Sequence, residues 1–161
     1  MIRSLKLWIG AGFGAGFLPK FPGTWGSLLA LIPIYFILSS PYSLVLLLSF
    51  IGISCALNFW VSSVCEQTWG KDPSKMVIDE WAGQGVTFLF ISTTSIAHPS
   101  LTLLFTGFIL FRFFDILKPL GIKKIQNLNA GFGILFDDLL AGFYALISLK
   151  ILIYVWPNIF G

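Results

Sequence analysis

The sequence predicts an all-α membrane protein, a polytopic bundle of about five apolar helices entered through a Gly/Pro-rich N-terminal loop. Three observations carry that expectation. Of 161 residues, 57% are hydrophobic and only 11% are charged, against about 25% charged in soluble domains. The mean hydropathy is +0.89. The apolar residues fall in long runs broken by proline-containing turns, "SSPYS" and "HPS". The length suits one compact unit over residues 1–161, with no separate soluble domain.

Taken in order, the chain starts with "MIRSLKLWIGAGFGAGF". Its basic start and short apolar core resemble a signal peptide. Gly10, Gly12, Gly14 and Gly16 weaken a helix, and no A-x-A site follows, so the segment is expected to belong to the mature protein. The overlapping GxxxG spacings, Gly10 to Gly14 and Gly12 to Gly16, point to close helix packing in a membrane. "LPKFPGTWGS", residues 18–27, reads as a stiff, nonhelical approach in which Thr24 or Ser27 caps the next helix. Apolar segments then follow over 26–38, 43–64, 81–97, 101–117 and 139–156. The first is short for a span, and could tilt, thin the bilayer or insert only in part.

Charge placement orients the bundle. Arg3, Lys6 and Lys20 precede the first segment. Lys71 and Lys75 follow the second, and Arg112, Lys118, Lys123 and Lys124 lie at or beyond the end of the fourth. Only Lys150 falls near the other side. With five spans these groups share one face, which the positive-inside rule makes cytoplasmic. All seven acids, Glu66, Asp72, Asp79, Glu80, Asp115, Asp137 and Asp138, fall on that same side.

Several chemistries drop out. A net charge of +3 leaves no nucleic-acid footprint. Cys55 and Cys65 have no CxxC spacing and read as free core thiols. His98 is the only histidine, read as a loop residue, and cannot by itself build a zinc site or a common catalytic triad.

The acidic pairs are the informative feature. Asp79 and Glu80 open the third segment, and Asp137 and Asp138 open the fifth. Carboxylates favour helix N-termini, so capping is one reading. Adjacent pairs exceed that need, and Asp115 sits at a C-terminus, where the dipole disfavours it. The other reading is an oxygen-only site for a hard cation such as magnesium. Arg112, Asp115 and Lys118 are spaced three apart and share a helix face. They form either structural ion pairs or, through Arg112 and Lys118, a grip on phosphate. Lys20 with the hydroxyls of Thr24 and Ser27 is either a cap-and-turn or a second phosphate cradle. Gly83 and Gly142 follow the two acidic pairs by about one turn, and would let neighbouring backbones approach and gather the carboxylates.

At these residues the chain resembles the bacterial phosphatidylglycerophosphatase A enzymes. The matching blocks are "GFLPKFPGTWGSLLA", "VIDEWAGQGV", "GFILFRFFDILKPLGI" and "GFGILFDDLLAG", in the family's order, over about residues 10 to 145. Gly121 stands where the family often has proline. The resemblance implies a magnesium-dependent lipid phosphatase of the bacterial inner membrane. Such an enzyme converts phosphatidylglycerophosphate to phosphatidylglycerol and phosphate. The expected roles are then Asp79, Glu80, Asp137 and Asp138 on magnesium and Asp115 as a further ligand or as base toward water. Arg112, Lys118, Lys20, Thr24 and Ser27 would hold phosphate. Asp79, Asp115 and Asp138 are the expected catalytic residues. Direct attack by water and an aspartyl-phosphate intermediate both remain open. A rival reading is a small cation or proton transporter using the same carboxylates, although transport sites usually lie near the bilayer midplane.

Overall fold

The computed structural model describes residues 1–71, 73–91, 99–119, 122 and 132–160. Asp72, His98, Gly121, Lys123 and Lys124 lie outside the described residues, as do the end of the third apolar segment and most of the link between the fourth and fifth. Among the described residues the fold is all-helical, with no strand. The helices are α1 (Ile2–Gly10), α2 (Pro22–Leu38), α3 (Ser43–Trp69), α4 (Ile78–Thr87), α5 (Leu101–Leu117), α6 (Phe132–Val155) and the short α7 (Pro157–Phe160).

Five spans were expected. Among the described residues, only α3, with 27 residues, and α6, with 24, are long and apolar enough to cross a membrane. At 1.5 Å per residue they reach about 40 and 36 Å, against a hydrocarbon core of about 30 Å. Each of α2 and α5 has 17 residues, the lower limit for a span. The third apolar segment, expected over 81–97, forms a helix of 10 residues that ends at Thr87. Its run ends in tight turns, Phe88 to Gly85 and Ile91 to Phe88, with Phe90 at φ 58°. Helix α5 matches its expected bounds, with the Ser100 hydroxyl accepting from the Leu103 amide at 3.1 Å as an N-cap does.

Short α4 sits at the centre, packed against α2, α3, α5 and α6. Eight of its residues are buried, including Asp79, Glu80, Gln84 and Thr87. The main apolar core gathers at its C-terminal end, where Phe88 meets Leu31, Ile34, Leu47, Leu104 and Leu149. Outward, Ile32, Val45, Ile53, Ile109 and Ile151 are exposed. That exterior suits lipid rather than water, because helices apolar on both faces need an apolar surround.

The glycine row was expected to pack helices through GxxxG spacings, and it instead makes a turn. Helix α1 stops at Gly10, and Gly12, Phe13 and Gly14 adopt φ of 55°, 57° and 105°. Left-handed backbone at two glycines ends the helix where a continuous small-residue face would have needed it to run on. Close approach survives at single points. A Cβ on Gly10 would stand 2.5 Å from Cys65 Sγ, and one on Gly16 would strike the carbonyl of Lys75.

Candidate active site

The site is built from helix ends. Val77 anchors the start of α4, its amide donating to the Gly10 carbonyl at 2.9 Å. Its side chain occupies space left by two glycines, for a Cβ on Gly12 or on Gly26 would come within 2.7 or 2.6 Å of it. Asp79 and Glu80 therefore enter in the first turn of α4, between α2 and α6.

Glu80 is fixed by three partners. It accepts from the Ser27 hydroxyl and from Arg112 Nη1 at 2.7 Å. It also lies against the backbone of Gly23, where a Cβ would strike its carboxylate. Ser27 and Thr24 were expected to cap this helix. The helix begins at Pro22, four residues before its expected start, with no side-chain cap at Phe21. Proline supplies the φ that a first helical position needs, so both hydroxyls lie inside the helix and Ser27 is free to reach Glu80.

Arg112 also pairs with Asp115 at 2.7 Å, as their spacing suggested. These bonds, and a 3.3 Å contact to Ser27, all use Nη1. Arg112 Nε is buried without a partner. Lys118 closes α5 in the left-handed region at φ 44°. It pairs with Asp137 across the cavity rather than with Asp115.

Asp137 and Asp138 were expected at the head of the last helix. That helix begins at Phe132, seven residues earlier than expected, and both acids lie inside it, buried at 3% and 4% exposure. Acids in the second turn are beyond the reach of free amides, so end-capping does not account for them. Gly83 and Gly142 act as anticipated. A Cβ on Gly83 would come 2.5 Å from the Asp138 carbonyl, and one on Gly142 would strike the Gly83 carbonyl. The two backbones touch, which brings the acids of α4 and α6 together.

The result is a cavity of about 300 Å³ lined by Asp79, Glu80, Asp115, Asp137, Asp138, Arg112 and Lys118. Five carboxyl groups face two cations. Lys20 is exposed on the turn before α2, and Thr24 is half-buried in the first turn. Neither lines the cavity. Ser74, beside Pro73, does. No motif marked it, for it lies in a loop outside the acidic blocks. Gly23 was also missed as a packing residue, although it sat within the quoted "FPGTWGS".

Electrostatics follow from burial. Burial, with Glu80, Asp137 and Asp115 nearby, pushes Asp79 well above the usual carboxylate range. Glu80 rises to about 7, because burial and Asp115 outweigh the opposing Arg112 and Ser27. Burial pulls Lys118 down, but its bond to Asp137 leaves it raised. Asp79 Oδ1 is buried without a hydrogen-bond partner, a costly state for a carboxylate. Hard oxygen donors and excess negative charge fit magnesium chemically. Among the described residues, no three acidic, histidine or cysteine side chains are gathered closely enough to hold an ion as they stand.

The comparisons with known proteins define a phosphoric monoester hydrolase of the lipid phosphatase class. A sequence profile for phosphatidylglycerophosphatase A matches residues 8–153, and the chain belongs to that family. It is 37% identical over 144 residues to phosphatidylglycerophosphatase A of Haemophilus influenzae, covering 86% of this chain and 83% of that one. It is 32% identical over 154 residues to the Escherichia coli protein of the same name, with 92% and 84% covered. A Bacteroides thetaiotaomicron protein with a provisional phosphatidylinositol-3-phosphatase name is 38% identical over 156 residues, with 91% and 92% covered. No solved structure matches.

Proposed function

We propose that this chain, as a single domain, removes the terminal phosphate of phosphatidylglycerophosphate at the cytoplasmic face of the bacterial inner membrane, with magnesium. One observation carries the reading: acids from α4, α5 and α6 share a cavity with an arginine and a lysine. Phosphate monoester hydrolysis is among the slowest uncatalysed reactions, so charge placement must supply a large barrier reduction.

Asp79 and Asp138 are the residues that would hold magnesium, joined by Asp137 once Lys118, its partner in the structure, turns to phosphate. Glu80, the fourth carboxylate expected there, is engaged by Ser27 and Arg112 and positions the guanidinium. When bound, the metal would offset charge on the phosphate and on the leaving oxygen. Arg112 presents a planar fork to two phosphate oxygens, and Lys118 a point charge to a third. Asp115, held beside Arg112, takes the proton of the attacking water. The water oxygen bonds to phosphorus, the phosphorus–glycerol oxygen bond breaks, and Asp115 returns the proton to the leaving alkoxide.

The test is phosphate release by purified protein from a panel of lipid phosphates, with and without chelator. The panel includes phosphatidylglycerophosphate and phosphatidylinositol 3-phosphate, because the names of the relatives divide between these headgroups. Fast, chelator-sensitive release from the first supports the proposal. Faster release from the second would reassign the substrate.

A further inference from the structure

We infer that the apolar groove between α2 and α5 is a slot for one acyl chain of the substrate, a ruler that sets the height of its headgroup. This rests on the lipid phosphatase reading of the acidic cavity.

The groove has a volume of about 850 Å³. Trp25, Leu29, Ile32 and Phe36 of α2 form one wall, Leu104 and Phe105 of α5 the other, and the Phe13–Leu18 turn adds to the lining. From Trp25 to Phe36 it extends roughly 16 Å along the helix, a length suited to an extended fatty chain.

Its position distinguishes it from ordinary lipid-facing surface. Both helices that form it also form the acidic cavity, in the same register. Phe21, Pro22 and Gly23 line the cavity, and the groove starts at Trp25, within the same turn of α2. On α5, Phe105 and Arg112 are seven apart and so share a face. The two helices run antiparallel, with Ser27 beside Arg112 at 3.3 Å and Phe36 in the same groove as Leu104 and Phe105. A phosphate held by Arg112 would therefore have the groove running away from it along the Phe105 face of α5, with the groove residues of α2 lying round that helix from Ser27.

The chain gains little by leaving lipid for an apolar groove, because bilayer tails are equally apolar. What it gains is position. A chain seated in a fixed slot removes freedom from the headgroup and holds the phosphate at the height of Arg112 and Asp115, the kind of orientation that raises turnover.

The experiment compares a long-chain and a six-carbon-chain phosphatidylglycerophosphate, in magnesium, on wild type, Ile32→Trp and Ile53→Trp. Ile32 is 56% exposed within the groove, and Ile53 is 60% exposed on α3 away from it. Ile32→Trp should cut kcat/KM for the long-chain lipid about tenfold or more and leave the short-chain rate within about twofold. Ile53→Trp should leave both unchanged. An unchanged long-to-short ratio in Ile32→Trp overturns the slot. A second arm needs no turnover: a phosphonate-headed lipid with a photoreactive diazirine chain, against phosphatidylcholine carrying the same chain. Preferential labelling of Ile32, Phe36 or Phe105 by the phosphonate lipid supports the slot, and equal labelling means the groove holds only bulk lipid. Inactivity of wild type on both chain lengths would instead sink the phosphatase reading, leaving the labelling arm to decide the groove.

Discussion

Gly83 and Gly142 bring α4 and α6 into backbone contact, each one turn beyond an acidic pair. A Cβ on Gly142 would strike the Gly83 carbonyl, and one on Gly83 would stand 2.5 Å from the Asp138 carbonyl. Neither obstruction is a flexible side-chain tip, so neither yields cheaply. Gly142→Ala should destabilise the protein by about 1–3 kcal/mol and lower activity by more than the loss of folded protein explains. Thermal unfolding in detergent beside specific phosphate release checks it. A fully active, equally stable variant would show that the two helices need not touch.

Asp79→Asn and Asp138→Asn should each abolish phosphate release while the helical circular dichroism is retained. Each swap keeps the shape and removes the charge that a divalent ion would need. Normal turnover by both variants would remove the cavity from the chemistry.

Arg112 joins Glu80 and Asp115 through one nitrogen. Arg112→Ala leaves two carboxylates in a buried setting without their cation, and should cost about 3 kcal/mol or more in stability. Arg112→Lys should recover part of that stability and little of the activity, because an ammonium lacks the planar fork. Equal recovery of both would mean that charge alone suffices.

The acids give the metal-free protein a defined pH response. Glu80 titrates at about 7 in the fold against 4.5 ordinarily, so between those values the folded state holds the extra proton. Stability is then greatest with Glu80 protonated, and falls as pH rises through that window. Asp79, also raised, acts in the same direction. With chelator, the Tm should be lower at about pH 7.5 than at about pH 5, and magnesium should raise it more at the higher pH. A chelated protein that gains stability toward neutrality would contradict this account. Ser27→Ala removes a bond to the ionised carboxylate, so it should raise Glu80 further and carry the fall in stability to higher pH.

The charges were the most legible part of the chain. Asp79, Glu80, Arg112, Asp115, Lys118, Asp137 and Asp138 converge because few charged residues can be placed in so apolar a chain, and those present had to gather at one end. Helix starts were less legible. Proline at position 22 suits a first helical turn as well as a loop, and the start of α6 at Phe132 follows a glycine-rich stretch that reads as a turn. The partner of Lys118 was hidden because spacing along α5 suggests Asp115, whereas the left-handed end of the helix carries the lysine toward α6. Gly23 could not be read as a seat for Glu80, since nothing in local sequence tells which side chain a glycine makes room for.

Val77 lies wedged beneath Gly12 and Gly26, two glycines with no charged neighbour among their closest contacts. That wedge works as a hinge pin for the first turn of α4. A methyl group added at either glycine would lever the helix aside and swing Asp79 and Glu80 with it. Inherited damage to catalysis could thus arise from a position that touches neither lipid phosphate nor ion, and a screen restricted to acids and bases would pass over it.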